Sequence, residues 1–275
     1  MFIPRFIKNI AYILLPDAIL QSLRVFHYSR QFKGFDPKAI SEYDIVSKLI
    51  PSGSTVIDIG ANIGLFSKCF SFIVGAEGKV YSLEPVPQTY KVLFSNSKLL
   101  KFGNVIPMNY AASDVETTVT MVIPTYQSRH GIDAQGNVYE GRGENYYEAK
   151  IISGNDAYSD KQVQAKTKTI DSLFLDISKN ISFIKCDVEG HELQCILGSL
   201  SIIQRDMPAM LIEVMDNPEQ NTSPAFRLFK ILRETGYTPF YLKDGFLMPV
   251  EGSNNEINFF FLSPHHIQLL GSIIG

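Results

Sequence analysis

Short apolar runs alternate along this chain with stretches of helical period. The runs at 55–59, 79–83, 105–109, 181–186 and 209–214 have the length and content of strands buried on both faces. Between them, 65–73, 87–100, 192–203 and 224–235 carry apolar residues at helical spacing, and Pro87, Gly103 and Gly236 mark helix ends. A further helix at 41–49 precedes the first strand and closes at Pro51-Ser52-Gly53. Near the end, 238–242 and 257–262 flank Lys243-Asp244-Gly245, which predicts an antiparallel terminal hairpin. Strands joined by crossover helices predict a doubly wound, mostly parallel α/β sheet of seven strands.

Two segments stand outside this alternation. Residues 1–40 are apolar with scattered cations (Arg5, Lys8, Arg24), interrupted at Pro16-Asp17, and predict an N-terminal helical extension. No uninterrupted apolar stretch there approaches the roughly 18–20 residues of a membrane span, so a peripheral membrane contact is the furthest reach of this reading. Residues 124–168 interrupt the domain formed by 41–275. They are polar and glycine-rich, yet hold Tyr126, Tyr139, Tyr146, Tyr147 and Tyr158 together with Arg129, His130 and Arg142. Disordered segments are poor in aromatics, so the expectation is an ordered flap. Arg129, His130, Tyr146 and Tyr147 are its candidate substrate contacts, suited to a sugar or another polyhydroxylated ligand.

Composition narrows the classes. The chain of 275 residues is 45% hydrophobic, enough for one large core, and its net charge of −3 offers no basic field for nucleic acid. Cys69, Cys186 and Cys195 lack zinc spacing and a disulfide framework, so the expectation is reduced thiols in a cytoplasmic protein.

The chemistry concentrates at strand ends. Val56-Ile57-Asp58-Ile59-Gly60-Ala61-Asn62-Ile63-Gly64 is an apolar run, an acid and a glycine turn opening a helix. Glu84-Pro85 ends the next strand, about where such folds place the acid that accepts ribose hydroxyls. The turn lacks the Gly-x-Gly-x-x-Gly spacing and any cation for a diphosphate. It better suits a nucleoside with a zwitterionic tail, as in S-adenosylmethionine, although a structural strand-to-helix turn uses the same residues. A second landmark, Lys185-Cys186-Asp187-Val188-Glu189-Gly190-His191-Glu192, puts four ionisable residues between Asp187 and Glu192 at the same sheet edge.

At these residues the sequence resembles the FkbM family of S-adenosylmethionine-dependent methyltransferases. The resemblance runs from about Glu42 to Ser263 and includes Asp58 to Gly64, Glu84-Pro85, Ala111-Ala112-Ser113-Asp114, Thr169-Ile170-Asp171-Ser172-Leu173 and Lys185 to Glu192. It implies a Rossmann-like, class I methyltransferase sheet. It also implies methyl transfer to a hydroxyl of a sugar, glycan or natural product. The cofactor set is then Asp58, Gly60, Ala61, Asn62, Gly64, Glu84, Pro85, Ala112, Ser113 and Asp187. Asp187, Glu189, His191 and His130 are candidates for the reaction centre, with His191 equally readable as a helix cap. Glu213 is a candidate for substrate contact. Asp187 and Glu213, with Asp216-Asn217 nearby, also offer hard ligands to a divalent metal, a reading not favoured here. A second functional class is a nucleoside-binding relative acting as a regulatory or scaffold subunit. The intact Asp58-Gly60-Gly64-Glu84 set weighs against it.

Overall fold

A computed structural model of the chain describes residues 16–126, 131–132, 138–139, 143–144, 149–151, 161–178, 180–252 and 255–275. Its centre is a sheet whose parallel strands are β1 (Thr55–Ile59), β2 (Lys79–Leu83), β3 (Val105–Met108), β8 (Ile181–Cys186) and β9 (Ala209–Glu213). Three antiparallel strands complete it: β10 (Thr238–Lys243), β11 (Phe246–Pro249) and β12 (Asn258–Leu262). The order across the sheet is β11-β10-β12-β9-β8-β1-β2-β3. It reverses direction between β1 and β8, the switch point at which open α/β sheets bind ligands.

The strand pattern explains why both faces are covered. Along β1, Val56 packs on one face and Ile57 and Ile59 on the other; along β12, Phe260 opposes Phe259 and Phe261. One core joins Ile57, Ile184, Ile212 and Phe261 to helices α5 (Ile170–Phe174), α6 (Glu192–Leu197), α7 (Leu200–Asp206) and α8 (Pro224–Glu234). The other joins Val56, Phe183, Leu211 and Phe260 to α1 (Asp17–Gly34), α2 (Tyr43–Leu49), α3 (Leu65–Val74) and α9 (Pro264–Leu270). Helix α4 (Pro87–Ser97) follows β2. Burial of each such aromatic or branched side chain contributes about 1.5–3 kcal/mol.

Two expectations change, and one segment gains detail. The turn at Lys243-Asp244-Gly245 joins β10 to β11, an eighth strand at the edge, and β12 returns to lie between β10 and β9. The helix expected over 192–203 is two helices, α6 and α7, separated at Gly198-Ser199. A Cβ on Gly198 would lie 2.0 Å from the Ser113 carbonyl oxygen, so backbone contact there replaces a continuous helix. Finally, the insertion is partly regular. A second sheet pairs β4 (Ala111–Ala112), β5 (Thr118–Ile123), β6 (Lys150–Ile151) and β7 (Lys161–Lys168) in the order β6-β5-β7-β4. Val163, Ala165 and Thr167 alternate inward on β7 with exposed Gln162, Gln164 and Lys166.

Among the described residues no helix is long and apolar enough to cross a membrane.

Candidate functional site

The register of the parallel strands assembles the site. Ile59 pairs with Leu83 on one side and Cys186 on the other, and Cys186 pairs with Ile212. The next residues, Gly60, Glu84, Asp187 and Glu213, therefore share one level at the carboxyl edge. All four line a cavity of about 280 Å³, together with Asn62, Pro85, Ala112, Glu189 and His191.

Gly60 is required by both conformation and space. Its φ is +75°, and a Cβ there would stand 1.7 Å from the Asp187 carbonyl oxygen. The Gly60 and Ala61 N–H groups donate to the Leu83 carbonyl at 3.0 and 2.9 Å, while the Asp187 N–H donates to the Ile59 carbonyl at 3.1 Å. These bonds join the three strand ends into one rim. Asn62 takes the left-handed conformation (φ 51°), which asparagine tolerates better than most residues. Its N–H donates to Glu84 Oε2 at 3.0 Å, and the Val86 N–H donates to Oε1 at 2.9 Å. Asn109 Nδ2 braces this turn from below, donating to the Glu84 and Pro85 carbonyls. Burial pushes the Glu84 carboxyl up to about 7, and the two backbone donors only partly offset it. A ligand donating hydroxyls to this carboxylate would favour the ionised form.

Asp58, Ala61, Gly64 and Ser113 stand behind the cavity wall. Asp58 is fully buried, and its Oδ2 accepts from Ser67 Oγ at 2.6 Å, while its Oδ1 has no hydrogen-bond partner. Burial raises its pKa against the pull of Lys185. Its carboxylate is thus turned to Ser67 on α3 and does not reach the cavity surface. Ala61 is buried within the turn. Gly64 sits at the start of α3 with φ 94°, where a Cβ would meet Leu93 at 2.8 Å. Ser113 Oγ lies 3.0 Å from His191 Nε2.

Lys185 is the functional candidate that the strand pattern concealed. It pairs across the sheet with Asp58, is 5% exposed, and donates to Asp187 Oδ2 at 2.9 Å. Burial alone would lower its pKa, but Asp187 and Asp58 outweigh that and hold it above the ordinary value. Burial opposes ionisation of Asp187, yet Lys185 wins and keeps that carboxyl below the usual range. Glu213 goes the other way, pushed up to about 8 by burial and then by its hydrogen bond to Asp187. Burial and the Asp187 carboxylate thus favour the protonated form of Glu213, while Lys185 favours the ionised form of Asp187.

The turn after β8 is under conformational load. Glu189 (φ 56°) and Gly190 (φ 97°) are consecutive left-handed residues. Glu192 Oε1 secures them by accepting from the Gly190 N–H at 2.9 Å. His191 begins α6 without a side-chain cap bond, so the capping role is not what holds it. Burial lowers its pKa against Asp114 and so favours the neutral imidazole at the cavity wall.

Asp187, Glu189 and Glu213 each present a carboxylate oxygen within 4.8 Å of the others, a set able to accept a hard cation. Lys185 already supplies positive charge to one of the three. Arg129, His130, Tyr146 and Tyr147 lie outside the described residues. Tyr110, Met121, Ala149 and Ile151 line the cavity without having been expected there. Nothing in their local sequence marks them, because the second sheet brings them to the wall: Tyr110 just before β4, Met121 on β5, and Ala149 and Ile151 at β6.

A switch-point cavity with a glycine turn and a strand-end carboxylate is the arrangement of a Rossmann-like fold, in which ligands sit at this edge. The family described as "Methyltransferase FkbM domain" matches residues 58–239, and the chain belongs to that family. A curated relative, the hexuronic acid methyltransferase AglP of Haloferax volcanii, is 24% identical over 168 residues. That match spans 59% of this chain and 58% of the relative. Among solved structures, the FkbM methyltransferase of Methylobacillus flagellatus KT is 15% identical, with TM-score 0.45, over 78% of this chain and 44% of that one. The O-methyltransferase of Bacillus cereus, in complex with SAH, is 11% identical, with TM-score 0.47, over 92% and 94%.

Proposed function

We propose that this chain transfers a methyl group from S-adenosylmethionine to a hydroxyl of a sugar, glycan or natural-product acceptor. The observation that carries the reading is Glu84, a buried carboxylate held by two backbone N–H groups level with Gly60, Asp187 and Glu213. The cavity fits the cofactor's chemistry. Glu84 offers lone pairs to a ribose diol, the Gly60 turn admits close backbone approach, and Asp187 offers an anion to an ammonium group. S-adenosylmethionine supplies an electrophilic methyl group on a sulfonium centre.

The chain's own part is positioning and proton handling. In-line approach of the acceptor oxygen is set by how the cavity holds it, and orientation of this kind accounts for much of the acceleration in such transfers. An alcohol becomes a competent nucleophile as its proton leaves. Ionised Asp187 and neutral His191 both face the cavity as acceptors for that proton, and Lys185 holds Asp187 in the ionised state. Met121, just before the insertion, and Ala149 and Ile151, within it, are on the cavity wall. This supports an acceptor-recognition role for residues 124–168, with Arg129, His130, Tyr146 and Tyr147 as contacts. The name of the Haloferax relative makes uronic acids the first acceptors to try.

The test is to incubate purified chain with S-adenosylmethionine and uronic-acid-bearing glycans, following the demethylated product by mass spectrometry. Turnover supports the reading. Binding of the cofactor with no turnover on any hydroxylated acceptor would instead support the non-catalytic subunit, and absence of binding would remove both.

A further inference from the structure

Helix α1 carries a stripe that the fold leaves uncovered. Ile19, Leu23 and Phe26 are 46%, 50% and 70% exposed, and their spacing puts them on one side of the helix. Arg30 and Lys33, four and seven residues after Phe26, continue the same stripe and are also exposed. The opposite side is firmly seated. Gln21 Nε2 donates to the Gln88 carbonyl at 2.9 Å, Ser29 Oγ donates to Asn96 Oδ1 at 2.8 Å, and Phe32 is buried. Lys68 Nζ then closes the helix end, donating to the Phe32 and Phe35 carbonyls at 2.8 and 2.7 Å. The stripe is thus the outer face of a docked helix.

Charge identifies what fits there. The first 35 residues hold five lysines and arginines (Arg5, Lys8, Arg24, Arg30, Lys33) and one acid, Asp17, in a chain whose net charge is −3. The segment preceding α1 has the same character, with Phe2, Ile3, Phe6, Ile7, Ile10, Ile13, Leu14 and Leu15 among Arg5 and Lys8. Apolar side chains mixed with cations are the composition of helices that lie in the plane of an anionic bilayer surface.

We propose that α1 is a lipid-facing surface, through which the chain rests on an anionic membrane by way of Ile19, Leu23, Phe26, Arg30 and Lys33. The helix lies on the bilayer and does not cross it. This contact stands apart from the catalytic reading, since cofactor binding can be measured without lipid.

Flotation of the full chain with phosphatidylglycerol–phosphatidylcholine vesicles, and with phosphatidylcholine alone, tests it. The expected result is capture by the anionic vesicles only, reduced by salt. Leu23→Ser with Phe26→Ser should weaken capture at least tenfold, as should Arg30→Glu with Lys33→Glu. Phe246→Ser, an exposed aromatic on the far edge strand, should change nothing. Thermal melting and cofactor calorimetry establish that each variant is folded. No capture of the wild type overturns the proposal. So does undiminished capture of the Leu23/Phe26 variant, which would place any contact in residues 1–15. A dimer in solution that Phe26→Ser dissolves would assign the stripe to a second copy and overturn it equally.

Discussion

Glu84→Gln tests the cofactor assignment at a single atom. In the wild type both carboxylate oxygens accept a backbone N–H, from Asn62 and Val86, and their remaining lone pairs face the cavity. The amide keeps the size but removes the charge and turns one acceptor into a donor. Hydrogen bonds to a charged group contribute about 1.5–3 kcal/mol, so affinity for S-adenosylmethionine should fall roughly ten- to 150-fold. The pH dependence sharpens the test, because burial pushes this carboxyl up to about 7. A ligand that needs the carboxylate binds more tightly as pH rises through that value, with about tenfold between pH 6 and pH 8. In the empty protein the sign is opposite. The group's folded value is raised, so its contribution to stability is present below about pH 4.3 and is lost as pH rises through about 7. Calorimetry of both proteins across this range is the assay. The ligand's own amine titrates identically in both, so the difference in slope belongs to Glu84. A folded Glu84→Gln protein with wild-type affinity and wild-type slope would refute the reasoning.

Further outcomes follow from the same geometry. Gly60→Ala forces a Cβ onto the Asp187 carbonyl at a positive φ and should destabilise by about 2–5 kcal/mol in urea titration; an unchanged midpoint would contradict the close approach. Lys185→Met strips the cation from Asp58 and Asp187 and should cost about 3–5 kcal/mol. It should also move the acidic limb of the kcat/KM profile upward as Asp187 becomes harder to ionise, and a profile that stays put would show that Asp187 does not act as a base. Asp187→Asn in a folded protein should lower turnover by about 10²-fold, and full activity would remove this edge of the site.

How much of this was legible depends on how local each signal is. Strands β1, β2 and β8 were readable to the residue because apolar runs buried on both faces end abruptly in Gly60, Glu84 and Asp187. The edge strand β11 was not. Asp244-Gly245 announces a turn, but no local feature says whether the returning strand is 246–249 or 258–262. The break at Gly198 was equally hidden, since the apolar period runs through it and its cause, the Ser113 carbonyl, lies 85 residues away in sequence. Alternation in β7 was present at Val163, Ala165 and Thr167 but weak, because the inward residues are small or polar. For Asp58 the identity was readable and the direction was not. Its partner Ser67 lies on α3, and strand position alone left open whether the acid faced cavity or core.

Lys185 shows why the missing part matters for function. Five carboxyl groups, Asp58, Glu84, Asp187, Glu189 and Glu213, gather near one sheet edge, and desolvation disfavours the charge of Asp58, Glu84, Asp187 and Glu213. One buried ammonium cannot neutralise them all, and it favours the ionised form most at the carboxylate it touches. Its nearest partner, Asp187, stays charged at 2.9 Å, while Glu84 and Glu213 rise towards neutrality. Carboxyl groups held towards neutrality regain charge when a ligand brings hydroxyl donors or a cation, and S-adenosylmethionine brings both. Asn62 and Glu189 stay left-handed and Asp58 Oδ1 stays without a partner at this edge. Those costs are tolerable because the two apolar cores flanking the sheet are closed on both faces. The edge can therefore stay conformationally loaded and electrostatically under-compensated, a state that a bound cationic nucleoside would relieve.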